Sequence, residues 1–316
     1  MSEISNWKKA DTFFSKYGIY CAFLILVGAL TIAFPPFIKP SNIVNVLRQT
    51  AVNGILAVGM TFVIITAGID LSVGSVLALS AVAATSLAHP GEYPLILSLL
   101  IGLLVGCACG ALNGVLIAKK RLAPFIVTLA MMSVARGVAL VYSSGRPIIN
   151  LSDSYNQIGG GYLAGIPVPV IIFLVIVLSG VFVLRYTRFG RYVYAIGGNE
   201  LAARVSGINT TRILIWTYVI MGALAGVAGI VLSSRVMSGS PAMGEGYELD
   251  AIAAVVIGGT SLFGGVGSIS GTVVGALIMG VMDNGLDMLN VSSYWQQVVK
   301  GAIIVLAVLL DKRSRN

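Results

Sequence analysis

The stretch Thr66-Ala67-Gly68-Ile69-Asp70-Leu71-Ser72-Val73-Gly74-Ser75 lies between two long apolar runs. It is polar and glycine punctuates it twice, so it predicts a break between two helices. Asp70 stands at this break. In a structural role, its carboxylate caps a helix that begins near Leu71 and accepts from the N–H group of Ser72 or Val73.

The composition of the chain is that of a membrane protein. Hydrophobic residues make up 57% of its 316 positions and charged residues only 10%, with a mean hydropathy of +0.95. One helical span needs about 20 apolar residues. We therefore predict an all-α membrane bundle of about ten transmembrane helices in a single domain, residues 1–316. The segments are 17–34, 43–67, 71–88, 94–118, 124–142, 167–184, 213–234, 248–263, 267–285 and 292–310, of which the third and eighth are short enough to be re-entrant.

Four clusters of cations predict the orientation. They are Lys8/Lys9/Lys16, Lys119/Lys120/Arg121, Arg185/Arg188/Arg191/Arg204/Arg212 and Lys312/Arg313/Arg315. An even number of predicted spans separates each pair of clusters, and short cytoplasmic loops retain Lys and Arg. Both termini are therefore predicted to be cytoplasmic, with residues 1–16 as a cytoplasmic N-terminal segment and 185–212 as a cytoplasmic loop. The net charge of +8 follows from this topology, and we predict no nucleic-acid partner.

The cytoplasmic loop contains the signals of a very short helix, Gly197-Gly198-Asn199-Glu200-Leu201-Ala202-Ala203-Arg204-Val205-Ser206-Gly207. Asn199 can cap its N-terminus, and Gly207 can close its C-terminus. Leu201 and Val205 share one face. Two turns are not stable alone in water, so the helix must pack on something. The residues leave two alternatives open, which are its own membrane helices and a cytoplasmic partner.

Polar side chains near the first break are candidates for a translocation pathway or gate: Asn53, Thr61, Thr66, Asp70, Ser72 and Ser75. The alternative for Asp70 is the cap described above, and we expect the cap itself to position the gate. Hydroxyl groups in membrane helices also bond to their own backbone or to a neighbouring helix. The many glycines are expected to permit close helix packing.

Other charged residues lie within or beside the predicted spans. Glu245, Glu248 and Asp250 precede the eighth segment on the predicted outer face, where they favour a helix N-terminus or dock an extracytoplasmic partner. Arg136 is a cation within a span and needs a partner or water. Lys300, beside Tyr294, is expected to snorkel to the membrane interface.

Little in the chain equips it for chemistry. It has one histidine, three cysteines in apolar runs and no Gly-Lys dipeptide for a phosphate-binding loop. We predict no catalytic residue, no metal site and no cofactor. An intramembrane enzyme is therefore disfavoured. A secondary transporter or channel stays open, with Asp70 or Arg136 as its titratable group.

Four motifs in order give the chain a specific resemblance. They are Gly68-Ile69-Asp70-Leu71-Ser72-Val73-Gly74-Ser75, the loop from Gly197 to Asn209, residues 247–261 and residues 291–301. Together they resemble the ribose/xylose/galactoside family of ABC-importer permeases, and the likeness spans residues 43–311. It is nearest to ribose-type permeases.

The resemblance implies a transport subunit, not an enzyme, that is embedded in the inner (cytoplasmic) membrane with many spans in contact with lipid. It carries a monosaccharide, ribose or a related pentose or hexose. A separate ABC ATPase subunit, an extracytoplasmic sugar-binding protein and a second permease copy are the implied partners. The coupling helix that docks on the ATPase subunit would comprise Gly197, Gly198, Asn199, Glu200, Arg204 and Gly207.

Overall fold

A computed structural model describes residues 2–313 of the chain, with the side chains of residues 18–303, 305 and 306. The regular elements of the described part are helices, apart from one two-stranded hairpin and an isolated bridge between Ile148 and Gly239. Its elements are α1 (Ser2–Ala33), a short 3-10 helix (Pro35–Ile38), α2 (Pro40–Ile65), α3 (Val73–Thr85), α4 (Leu95–Lys120), α5 (Pro124–Tyr142), α6 (Asp153–Gly160), β1 (Tyr162–Leu163), β2 (Ile166–Pro167), α7 (Val168–Tyr186), α8 (Arg188–Gly198), α9 (Glu200–Val205), α10 (Thr210–Arg235), α11 (Tyr247–Ile257), α12 (Ile269–Met288) and α13 (Ser293–Arg313).

Six helices of the described part are long and apolar enough to cross a membrane: α2, α4, α5, α7, α10 and α12. The predicted all-α bundle is thus confirmed, whereas the count of about ten spans and the cytoplasmic termini stay predictions. The terminal cations Lys8, Lys9, Lys16, Lys312, Arg313 and Arg315 lie outside the described side chains. The third and eighth predicted segments correspond to helices of only 13 and 11 residues, α3 and α11.

Helix α2 lies at the centre of the bundle. Nearly every residue from Thr50 to Ile65 is buried, and α7, α10, α11 and α12 all pack against it. A helix that is apolar on every face is buried by its neighbours rather than half exposed. The break that follows α2 therefore lies inside the protein and not at its lipid surface.

Helices α4 and α10 touch backbone to backbone. A Cβ atom on Gly106 would lie 2.2 Å from the Gly222 carbonyl oxygen, and one on Gly222 would lie 2.2 Å from the Gly106 carbonyl oxygen. A Cβ atom on Gly110 would lie at the same distance from the Tyr218 carbonyl oxygen. Small residues permit such an approach, and in lipid close packing is a main force that holds helices together.

Residues 66–72, between α2 and α3, form the first helix break, and residues 258–268, between α11 and α12, form a second one. The two breaks meet at one end of the molecule. The N–H group of Gly265, in the loop between α11 and α12, donates to the Ile65 carbonyl oxygen at 2.9 Å. The end of α8 lies against the same carbonyl group, where a Cβ on Gly197 would be 1.7 Å away. We call this the α8 end of the molecule, and it is the side predicted to be cytoplasmic.

Helix α11 does not cross the membrane by itself. Its 11 residues span about 16 Å, roughly half of a hydrocarbon core of about 30 Å. Its C-terminus leads into the loop at the α8 end, so its N-terminus lies near mid-depth. Residues 236–246 connect the far end of α10 to the start of α11, so this connection and α11 together lead from the opposite end of the molecule back to the α8 end.

An alanine at Gly106 tests the α4–α10 contact. The added methyl group meets the Gly222 carbonyl, and overpacking of this kind costs about 1–3 kcal/mol. We expect Gly106→Ala to lower the temperature at which the detergent-solubilised protein aggregates, measured by gel filtration after heating. Gly137→Ala is the matched control, because a Cβ there meets no atom within 4 Å. Equal stability of the two variants would contradict the close contact.

Candidate functional site

The short helix predicted between Asn199 and Gly207 forms as its capping residues indicate. Helix α9 begins after Asn199, whose Oδ1 accepts from the Ala202 N–H group at 2.9 Å. At the other end Gly207 adopts φ +86, and its N–H group donates to the Arg204 carbonyl at 3.0 Å. The Ile208 N–H group closes the larger ring onto the Ala203 carbonyl at 3.1 Å, which completes a Schellman motif.

The ion pair on α9 is a surface pair. Arg204 Nη2 lies 2.7 Å from Glu200 Oε1, with both side chains nearly half exposed. The Thr210 hydroxyl donates to the same carboxylate oxygen at 3.3 Å and so links α9 to the start of α10. An exposed pair spaced i,i+4 contributes about 0.3–0.5 kcal/mol. Its contribution to the stability of the fold is therefore small.

The apolar face of α9 is not covered by the described part of the chain. Leu201 is 72% exposed and Val205 is 81% exposed, whereas Ala203 on the other side is buried. The helix therefore rests on its own protein through Ala203 and presents its two larger apolar side chains outward. Two such side chains on one short helix form a small contact surface.

Helix α8 was not singled out by the sequence analysis, because it lies in a loop defined by its charges. It packs on the two breaks. The Phe189 ring lies 6.4 Å from that of Phe62, and the Tyr194 hydroxyl donates to the Gly267 carbonyl at 2.7 Å. Burial raises the pKa of Tyr194 above its usual value. Helix α8 thus connects α9 to both breaks.

Asp70 closes the first break by a local turn. It is 2% exposed, and its Oδ1 accepts from the Ser72 N–H group at 2.9 Å and from the Ser72 hydroxyl at 2.6 Å. Asn113 of α4 donates to that hydroxyl at 3.1 Å, a partner that sequence reasoning missed. The next helix begins at Val73 rather than near Leu71. The Asp70 carboxylate therefore accepts from the Ser72 N–H group, one of the two groups that the capping interpretation named. The gating role of Asp70 stays a prediction.

The other pathway candidates are packed inside the bundle. The Thr61 hydroxyl meets that of Thr272 at 2.7 Å, and Asn53 donates to Asp250 Oδ2 at 3.5 Å. Thr66 lines a cavity of about 660 Å³ at the α8 end. Ser75 lines a separate cavity. The structure thus distributes the six candidates over several contacts and does not gather them along one channel.

Lys300 forms a buried cluster with two aspartates, which corrects the expectation that it snorkels. Its Nζ lies 2.8 Å from Asp250 Oδ1 and 3.2 Å from Asp283 Oδ2. Asp250 is 4% exposed, so it does not belong to an outer docking surface with Glu245 and Glu248. Two buried carboxylates hold the ammonium group inside because each would otherwise lack a counter-charge.

Glu245 and Glu248 instead line a cavity of about 400 Å³ with Arg136 and Ser75. Arg136 Nη1 donates to the carbonyl groups of Pro241 and Met243, the latter at 2.8 Å. The full lining comprises Ser75, Met132, Ser133, Arg136, Leu140, Pro241, Ala242, Glu245 and Glu248. Arg136 thereby holds the connection between α10 and α11 against α5.

Removing the ammonium group tests the buried cluster. We expect Lys300→Met to lower thermal stability in detergent, because an uncompensated buried charge costs about 3–5 kcal/mol. Adding Asp250→Asn and Asp283→Asn to that variant should restore most of the loss. Lys39→Met is the control, since Lys39 is exposed. A Lys300→Met protein as stable as the control would refute the pairing.

Comparison with known proteins places the chain in a family. Residues 42–308 match the family described as branched-chain amino acid transport system / permease component. The chain is 50% identical over 306 residues to the ribose import permease protein of Bacillus subtilis (strain 168), covering 96% of this chain and 95% of that one. It is 45% identical over 314 residues to the ribose import permease protein of Haemophilus influenzae, covering 98% and 97%.

The likeness extends to a xylose permease. The xylose transport system permease protein of Escherichia coli (strain K12) is 40% identical over an alignment 342 positions long, which covers 89% of this chain and 87% of that one. No solved structure matches the chain. These matches confirm the resemblance drawn from the four motifs. The chain therefore belongs to the family of branched-chain amino acid transport system permease components.

Proposed function

We propose that the chain is the membrane subunit of an ATP-driven importer and that it carries ribose across the cell membrane. The observation that carries this proposal is the uncovered apolar face of α9, Leu201 and Val205, on a helix with fully formed caps. The names of the relatives at 50% and 45% identity support ribose, although the family description names branched-chain amino acids. The chain is a multi-pass permease and a transport subunit rather than an enzyme.

In this proposal α9 is the coupling helix. A partner ATPase subunit covers Leu201 and Val205, and burial of two such side chains is favourable by about 1.5–3 kcal/mol each. The elements from Gly197 to Gly207 keep the helix formed before the partner binds, which lowers the ordering cost of docking. ATP is bound and hydrolysed by that partner.

Motion of α9 would reach the membrane interior through α8. The route is short, because Tyr194 bonds to Gly267 and Gly197 packs on Ile65. Both breaks therefore shift when α8 shifts. The geometry supports alternating access in which the two breaks change together, because their backbones are in direct packed contact and one cannot move without displacing the other.

The remaining partners complete the importer. An extracytoplasmic sugar-binding protein delivers the monosaccharide. In this proposal its docking does not depend on Glu245 and Glu248. Two copies of the chain form the permease with both termini in the cytoplasm. Each copy contributes one α9, so each of two ATPase subunits receives a helix.

A negative charge placed on the apolar face of α9 tests the docking. We expect Leu201→Asp and Val205→Asp to abolish co-purification of the ATPase subunit in mild detergent, because an aspartate would be desolvated in the interface. Val236→Asp is the matched control, since Val236 is a half-exposed valine at the opposite end of α10. Retention of the ATPase subunit by both α9 variants would exclude α9 as the coupling helix.

Uptake by intact cells tests the cargo and the energy source. We expect deletion of the chain to abolish accumulation of radiolabelled ribose and to leave accumulation of leucine unchanged. Unlabelled xylose should compete more weakly than unlabelled ribose. Loss of leucine uptake alone would reassign the cargo. Ribose transport by the chain alone in ATP-free liposomes would make it a secondary carrier.

A further inference from the structure

We propose that the cavity lined by Arg136, Glu245 and Glu248 is the sugar-contact site halfway along the translocation pathway. This inference rests on the proposed function and deepens it. The sequence analysis placed the two glutamates on the outer face and left Arg136 without a partner. The structure brings all three to one cavity of about 400 Å³, together with Ser75 and Ser133.

Two independent helices place this cavity near mid-depth. Glu248 lies in the first turn of α11, and that helix rises about 16 Å from the loop at the α8 end. Arg136 is the thirteenth residue of α5, about 18 Å from Pro124. Pro124 in turn lines the cavity at the α8 end with Gly197. Both counts lead to the middle of a core of about 30 Å.

Charged groups at this depth need a reason. A charge near the bilayer centre is costly and marks a transport path or a relay by default. The favourable field at the start of α11 accounts for Glu248 but not for Glu245, which precedes the helix and is exposed. No ion pair joins Arg136 to either carboxylate within the described residues, although both act electrostatically on its guanidinium group. The three charges therefore surround the cavity instead of closing it.

The lining suits a neutral, polyhydroxylated ligand. The two carboxylates accept hydrogen bonds from hydroxyl groups, and the Arg136 guanidinium donates to hydroxyl or ring oxygens. Apolar walls come from Met132 and Leu140. Two carboxylates oppose an anionic cargo, and the volume lies within the usual range of about 300–1,000 Å³ for small-molecule sites.

The cavity is attached to the first break. A Cβ on Gly74 would lie 2.0 Å from the Gly244 carbonyl oxygen, so the start of α3 touches the connection between α10 and α11 directly. Gly244 adopts φ +67, which a residue with a side chain rarely takes. A shift of the break at Asp70 is thereby passed to the segment that carries Glu245. Access to the site and movement of α8 are thus linked.

The test compares sugar moved with ATP spent. The complete importer is reconstituted in proteoliposomes, and radiolabelled ribose uptake and ATP hydrolysis are measured for Glu245→Gln and Glu248→Gln. We expect ribose moved per ATP to fall about tenfold in each, because a charged acceptor is lost. The ratio of ribose to xylose transport should also change. Glu92→Gln is the matched control, an exposed carboxylate in the loop after α3.

The outcomes separate the two proposals. Uptake per ATP and a ribose-to-xylose ratio equal to those of Glu92→Gln would overturn the site and leave the importer standing. A wild-type importer that moves leucine and not ribose would overturn both the cargo and the sugar site. Because Arg136 holds the segment at Pro241 and Met243, Arg136→Lys is assayed only after gel filtration shows an intact complex. A normal ratio in that folded variant would also count against the site.

Discussion

The structure depends on one constraint, which is that backbone N–H and C=O groups cannot be left unpaired in a membrane. Two helix breaks inside a bundle create such groups, and the protein satisfies them by bringing the breaks together. Gly265 donates to the carbonyl of Ile65, and Asp70 accepts from the N–H group of Ser72. The position of each break is therefore tied to the other.

Close backbone approach follows from this constraint. The breaks can meet only where side chains are absent, and Gly197 supplies that space beside Ile65. The same device recurs where α4 meets α10 and where Gly74 meets Gly244. Glycine thus provides close backbone contacts from α8 to the breaks and from α3 to the segment that carries Glu245.

Local features of the structure could be predicted from the sequence. The break after Ile65, the cap at Asn199 and the closure at Gly207 each depend on residues within a few positions of one another. Capping and turn formation are short-range effects, so neighbouring residues are enough to define them. The apolar composition likewise predicted a helical membrane bundle without any knowledge of contacts.

Long-range features could not be predicted in this way. Lys300 pairs with Asp250, 50 positions away, and hydropathy gives no sign of that partner. The short length of α11 was also hidden, because the apolar pattern of residues 248–263 is the same whether one helix or a helix and a loop follow it. Glu245 and Glu248 were consequently assigned to the outer face. Tertiary contacts decide both cases.

The Lys300 cluster also bears on how the protein is made. Asp250 and Asp283 lie on α11 and α12, and their counter-charge arrives only with α13, the last helix of the chain. During synthesis the two carboxylates enter the membrane before the ammonium group exists. The two carboxylates therefore have their ammonium partner only after α13 has been synthesised. A chain truncated before α13 would lack the charge that balances Asp250 and Asp283.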